Sequence, residues 1–177
     1  MSAYNELREQ IKSKAIVHGK VTLSSGKEAD YYVDLRRITL DHEAAPLVGE
    51  VMLDLTKELD FDAVGGLTLG ADPVATAMMH VAASKGRKID SFVVRKEGKA
   101  HGLQRRIEGP DVVGKRVLAV EDTSTTGGSV LTAVEALKEA GAIVVGVAVI
   151  VERGAENAIK DAGYQYFAAY SLKDLGL

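Results

Sequence analysis

Short continuous apolar runs alternate with amphipathic stretches along this chain, a pattern that predicts an α/β protein with a central, mainly parallel β-sheet flanked by helices. Three observations carry the prediction. AVGGL, IDSFVV, RVLAV and AIVVGVAVIV are apolar and of strand length, as expected for strands covered on both faces. Between them lie stretches with apolar residues at helical spacing, as expected for crossover helices. RVLAV runs directly into the polar turn EDTSTTGGS before the next helical pattern opens, and strand ends of this kind are where α/β sheets bind ligands.

From the amino terminus, Leu7, Ile11 and Ala15 recur every fourth residue and predict an amphipathic helix over residues 3–17. VTLSSG and YYVDLRRIT read as two extended pieces around a polar turn. Leu47, Val51, Leu55 and Leu59 predict a helix over 43–59, followed by the strand AVGGL. In ADPVATAMMHVAASKG, Asp72 and Pro73 suit the N-cap and first helical position and Gly86 suits the terminator. Met78 and Met79 are expected to fill the core, and His80 on the same apolar helix is expected to be packed. After IDSFVV, residues 95–110 are polar and basic with neither period, so they read as a long loop of the kind that is commonly functional. GSVLTAVEALKEAG places Val130, Val134 and Leu137 on one helical face, and AIVVGVAVIV returns to strand.

The 177 residues contain no repeat, no low-complexity tract and three prolines, so a single domain over 1–177 is expected. With no cysteine in the sequence, disulfides, thiolate metal sites and a cysteine nucleophile are excluded. MSAYNELREQIKSK is charged throughout, unlike a secretory signal. AIVVGVAVIV is about half the length that spans a bilayer. A cytoplasmic protein with no membrane partner is expected. The net charge of −3 sets up no field that would gather nucleic acid, so any anion site must be local. His18 and His42 have no companion ligands at metal spacing, and no metal held by the protein alone is expected.

The turn VLAVEDTSTTGGSV combines features that together suit a sugar phosphate. A helix start offers unpaired N–H groups, and glycines let the backbone curl close to an oxyanion. Thr125, Thr126 and Ser129 add hydroxyl donors. Glu121 and Asp122 would repel a phosphate they faced, and are better placed to accept hydrogen bonds from neutral hydroxyls. No lysine follows the glycines, so this is not the GxxxxGK[ST] nucleotide loop, nor is GxGxxG present. An ordinary βα turn is the alternative for any bare glycine-rich stretch. The joint occurrence of strand, acidic pair, hydroxyl run and double glycine argues against it.

VLAVEDTSTTGGS resembles the phosphoribosyl pyrophosphate (PRPP) motif of type I phosphoribosyltransferases. The resemblance implies that family's fold, with a small amino-terminal hood over about 1–40. It also implies that Glu121 and Asp122 contact ribose, while Thr123, Ser124, Thr125, Thr126, Gly127, Gly128 and Ser129 wrap the 5-phosphate. RKEGKAHG, with Arg95, Lys96, Lys99 and His101, could by itself be a solvated basic loop. Beside the PRPP motif it is similar to the mobile catalytic loop of orotate phosphoribosyltransferases. YYVDLR resembles their hood, GGLTLGADPVA their pyrophosphate loop, and VERG places Arg153 where they have an arginine that meets orotate. Where many members carry a lysine before the hood's serine-glycine, this chain has Ser24, and Lys27 lies nearby.

The resemblance covers residues 18–154 and implies transfer of the 5-phosphoribosyl group from PRPP to orotate in pyrimidine biosynthesis. Orotidine 5-phosphate and pyrophosphate are the products. It further implies Mg²⁺ bound mainly through PRPP, a homodimer with shared active sites, and catalytic roles for Lys99, His101 and Asp122. Tyr31 or Tyr32 would cover the base, or both would pack the hood. Competing readings are a phosphoribosyltransferase for another base, a PRPP-sensing regulator and a silent interaction module. The regulator would need a nucleic-acid-binding segment or a basic face, and neither is evident.

Overall fold

A computed structural model describes residues 1–23, 25–98 and 105–177. Ser24, Lys99 and His101 lie outside the described residues.

The chain opens with α1 (Ala3–Gln10), capped by the Ser2 side chain, which accepts the Asn5 N–H. It continues through a π-helical turn (Ile11–Ala15). The predicted helical face is correct, since Leu7, Ile11 and Ala15 are all fully buried. β1 (Ile16–Thr22) then starts where β-branched Ile16 and Val17 occur, earlier than the extended piece expected from 21. β1 pairs antiparallel with β2 (Glu28–Val33), forming a separate two-stranded sheet. YYVDLRRIT is only half extended, because Arg36–Thr39 forms the short helix α2 with Ile38 and Thr39 buried. Lys14 of the π-helical turn is tied to the segment just beyond α2 by ion pairs to Asp41 at 3.0 Å and Glu43 at 2.9 Å.

α3 (Ala44–Leu55) stops four residues short of Leu59. β3 (Ala63–Leu67) is buried along its whole length. α4 (Ala71–Ser84) is capped by Gly70, so Asp72 sits in its first turn rather than at the N-cap. Its carboxylate instead accepts the Thr68 hydroxyl at 2.6 Å. Met78 is fully buried, Met79 is half-buried and His80 is exposed, against the packed position expected for it. β4 (Asp90–Val94) precedes the basic stretch, which is not all loop: β5 (Ile107–Glu108) returns antiparallel to β4.

β6 (Arg116–Ser124), α5 (Gly128–Glu139), β7 (Ile143–Glu152), α6 (Glu156–Asp161) and β8 (Tyr166–Ser171) complete the order. The main sheet runs β5-β4-β3-β6-β7-β8, parallel except at β5. Alternate strand residues enter two cores. Val64, Leu118, Val120 and Ile150 pack with Leu7, Val48 and Met52 of α1 and α3. Ala63, Val117, Ala119 and Val147 pack with Val130, Val134 and Leu137 of α5. Both faces of the central strands are therefore dry, which is why they read as unbroken apolar runs.

After β4 the chain crosses back over β3 to place β6 on its other side, so β3 and β6 are neighbours reached from opposite directions. Their carboxyl ends form a topological switch point, where the crossovers diverge and leave a crevice.

Candidate active site

At this switch point lies a cleft of about 350 Å³. Its floor is the Thr68–Gly70 segment after β3 and Glu121, Asp122 and Thr123 of β6; Ser129 from α5, Lys96 and the Val33–Arg36 segment complete the lining. The acidic pair belongs to the strand, not to the turn as the sequence suggests, because β6 stays paired with β7 through Ser124 and Glu152.

Glu121 is only 6% exposed. Its Oε1 accepts the Asp122 N–H at 3.2 Å, and Asp122 Oδ1 accepts the Thr123 N–H at 2.7 Å. Burial first, and then the neighbouring Asp122 charge, pushes the Glu121 carboxyl up to about 8. Burial likewise raises Asp72, with the Thr68 hydrogen bond working the other way. Gly70 faces the pair so closely that an added Cβ would meet Glu121 Oε1 at 2.3 Å.

The raised Glu121 value has a consequence for stability. The folded chain keeps this proton up to about pH 8, whereas the unfolded chain loses it in the ordinary carboxylate range. The folded state therefore loses stability as pH rises through that window. Glu121→Gln removes the titration. Its melting temperature should match the parent's in acid and exceed it by roughly 5 °C above pH 8. Thermal denaturation across pH checks this.

Between β6 and α5, Gly127 adopts φ +82°, a conformation that favours glycine, and turns the chain into the helix. Thr125, Thr126, Gly128 and Ser129 are exposed around this turn, while Ser124 is buried. The donors are not equally free. Thr123 donates its hydroxyl to the Val151 carbonyl at 3.0 Å and its N–H to Asp122. Thr126 Oγ1 accepts the Gly128 N–H at 3.3 Å, which leaves its own O–H to donate. The start of α5, with the exposed Thr125, Thr126 and Ser129 hydroxyls, thus offers donors of the kind an anion needs.

The basic residues are divided. Lys96 lines the cleft. Arg95 does not; its guanidinium faces Glu108, with Nη1 3.5 Å from Oε1. Arg153 is half-buried, its N–H donates to the Ser124 carbonyl at 3.0 Å, and its Nε is buried without an acceptor among the described residues. Tyr31 and Tyr32 are half-buried on β2, and Tyr31 packs against the first core; the hood instead lines the cleft with Val33, Asp34, Leu35 and Arg36. Arg36, exposed and with its Nε donating to Asp34 at 3.3 Å, also borders the cleft, and nothing in the spacing of YYVDLR shows that α2 begins there. Gly70 escapes a reading of the sequence too, because its closeness to β6 is a property of the sheet order.

Comparison with known proteins agrees with this geometry. Residues 38–167 match the model of the phosphoribosyl transferase domain. The chain is 71% identical over 174 residues to the orotate phosphoribosyltransferase of Streptomyces avermitilis, covering 97% of this chain and 96% of the relative. Among solved structures, orotate phosphoribosyltransferase of Mycobacterium tuberculosis H37Rv with Fe(III) dicitrate superposes with a TM-score of 0.92 at 58% identity, over 99% of this chain and 100% of that one. The same enzyme in complex with PRPP gives 0.87 at 52% identity, over 99% and 100% of the two chains.

Proposed function

The chain belongs to the orotate phosphoribosyltransferases, within the phosphoribosyl transferase domain family, and on that premise we propose how its cleft moves a 5-phosphoribosyl group from PRPP to orotate. The observation that carries the reading is the convergence of the acidic strand end, the hydroxyl-rich helix start and the Thr68–Gly70 segment on one switch-point crevice. The products, orotidine 5-phosphate and pyrophosphate, place the enzyme in pyrimidine biosynthesis.

Breaking the C1–O bond of PRPP builds positive charge on the ribose and negative charge on the departing pyrophosphate. Glu121 and Asp122 hold the ribose hydroxyls, and the Asp122 carboxylate lies near the developing cation. The α5 amides with Thr125, Thr126 and Ser129 seat the 5-phosphate, and Lys96, Lys99 and His101 supply donors to the leaving oxygens. Arg153 offers paired N–H donors to the orotate carboxylate, a role supported by its buried Nε, unmatched among the described residues.

The oxygen donors at the cleft, Asp122 with the Thr68 and Ser129 hydroxyls, suit Mg²⁺, and Asp122 would support its water shell. When bound, Mg²⁺ neutralises part of the pyrophosphate charge. Among the described residues no group of three or more His, Asp or Glu is arranged to hold a metal, and an ion carried mainly by PRPP oxygens needs no such cage. Cytoplasmic localisation belongs to the same proposal; no described helix is long and apolar enough to cross a membrane.

A homodimer with shared active sites completes the reading. Next to the cleft runs an apolar groove between α3 and α4 that includes Leu40, Pro46, Leu69, Pro73 and Val81, and Leu69 lines both. Leu40 and Leu69 are 70% and 58% exposed, so a second copy seated here would cover apolar surface beside the reacting centre. Leu40→Asp should shift the protein from dimer to monomer in sedimentation velocity and lower activity about tenfold or more. A dimer with parent activity would remove this face.

The function itself is tested by loss of orotate absorbance in the presence of the enzyme, PRPP and Mg²⁺. Loss requiring all three is expected. A panel of other bases should remain unconsumed, and turnover of one of them in place of orotate would overturn the base assignment.

A further inference from the structure

We propose that Arg106, outside the cleft, is a positioning residue that sets Lys96 in it. The inference rests on the reading of Lys96 as a donor to the leaving group. Among the described residues, β5 pairs with β4 at Val93 with Glu108 and Val94 with Ile107, and this ladder ends at Val94. Arg106 holds the two residues beyond it. Its carbonyl accepts the Arg95 N–H at 2.7 Å. Its guanidinium then reaches back: Nε and Nη2 donate to the Arg95 carbonyl, each at 3.3 Å, and Nη2 donates to the Lys96 carbonyl at 3.0 Å.

One planar fork therefore fixes two successive carbonyls, and with them the direction from which the Lys96 side chain leaves the backbone. Arginine suits this because its donors are rigidly spaced; a lysine ammonium is a single point charge on a flexible stem and does not span both acceptors with one geometry. The Arg95 guanidinium is turned toward Glu108, so it does not compete for either carbonyl. Lys96 itself is exposed and lies at the cleft that holds Glu121, Asp122 and Ser129. A donor that must meet charge only as it develops gains from being held in advance, and loses when its anchor slackens.

The test is a double-mutant cycle on kcat/KM for PRPP with Arg106→Met, Arg106→Lys, Lys96→Met and the two double variants. Arg106→Met and Arg106→Lys should each lose about tenfold, mainly in kcat, with KM for orotate little changed. On the Lys96→Met background the same Arg106 changes should cost less than about twofold, because the group they position is gone. Should Arg106→Met fail to fold, Arg106→Lys carries the cycle, since it retains the charge and most of the stem. If Lys96→Met is impaired and the Arg106 losses add in full on top of it, positioning through Lys96 is overturned while the reading of the cleft stands. If Arg106→Lys behaves as the parent, the fork is irrelevant and the proposal falls. If Lys96→Met alone is harmless, the role given to Lys96 falls first and this inference with it.

Discussion

Alanine at position 70 should lower kcat/KM for PRPP by roughly 100-fold, the scale of loss expected when reacting groups are displaced by about 1 Å. The reason is steric. A Cβ on Gly70 would stand 2.3 Å from Glu121 Oε1 and 2.8 Å from Asp122 Oδ1, closer than real contacts allow. The backbone there has φ −61° and ψ −36°, open to any residue, so no conformational penalty accompanies the change. Both carboxylates must swing out of the positions in which they would grip the ribose hydroxyls. Because the added Cβ meets the ends of two flexible side chains and no backbone, the fold should survive with a melting temperature near the parent's. Steady-state kinetics with PRPP varied, alongside thermal denaturation, checks both halves. A folded Gly70→Ala enzyme with parent kinetics would show that the carboxylate positions do not matter.

Lys99→Ala should bind PRPP within a few-fold of the parent yet turn over roughly 100- to 1,000-fold more slowly, the usual cost of one donor aimed at developing charge. The distinction between binding and turnover is the point. A lysine that held PRPP equally in ground and transition states would raise KM and leave kcat alone. Calorimetric titration with PRPP, set against kcat, separates the cases, and near-normal turnover would remove Lys99 from the chemistry. The large losses expected at Gly70 and Lys99 come from opposite sides of the reaction, one serving the ribose and the other the leaving group.

The parts of this molecule that a linear reading reaches are those whose signal is local. AVGGL, VLAV and GVAVIV are strand segments buried on both faces, and the turn at Gly127 has the φ that its glycine implies. α2, β5 and α6 are four, two and six residues long, too short for a period to emerge. Sequence alone assigns the acidic pair to the turn because charge usually ends a strand. Here pairing with β7 carries β6 through it, from Glu121 opposite Val149 to Ser124 opposite Glu152. His80 is misjudged in the same way, because an apolar neighbourhood in sequence does not show which side of α4 meets α3. The divided duties of the basic stretch, with Lys96 at the cleft, Arg95 on Glu108 and Arg106 on the carbonyls, depend on β5 folding back along β4. That return is invisible until the sheet is assembled.

The position of the sugar phosphate decides the roles of these residues, and a crystal structure of the enzyme with orotidine 5-phosphate measures it directly. The phosphate is expected at the α5 amides with Thr125, Thr126 and Ser129, and the ribose hydroxyls at Glu121 and Asp122. Nucleotide bound with its phosphate away from the α5 amino terminus, or with its ribose out of reach of both carboxylates, would contradict those roles.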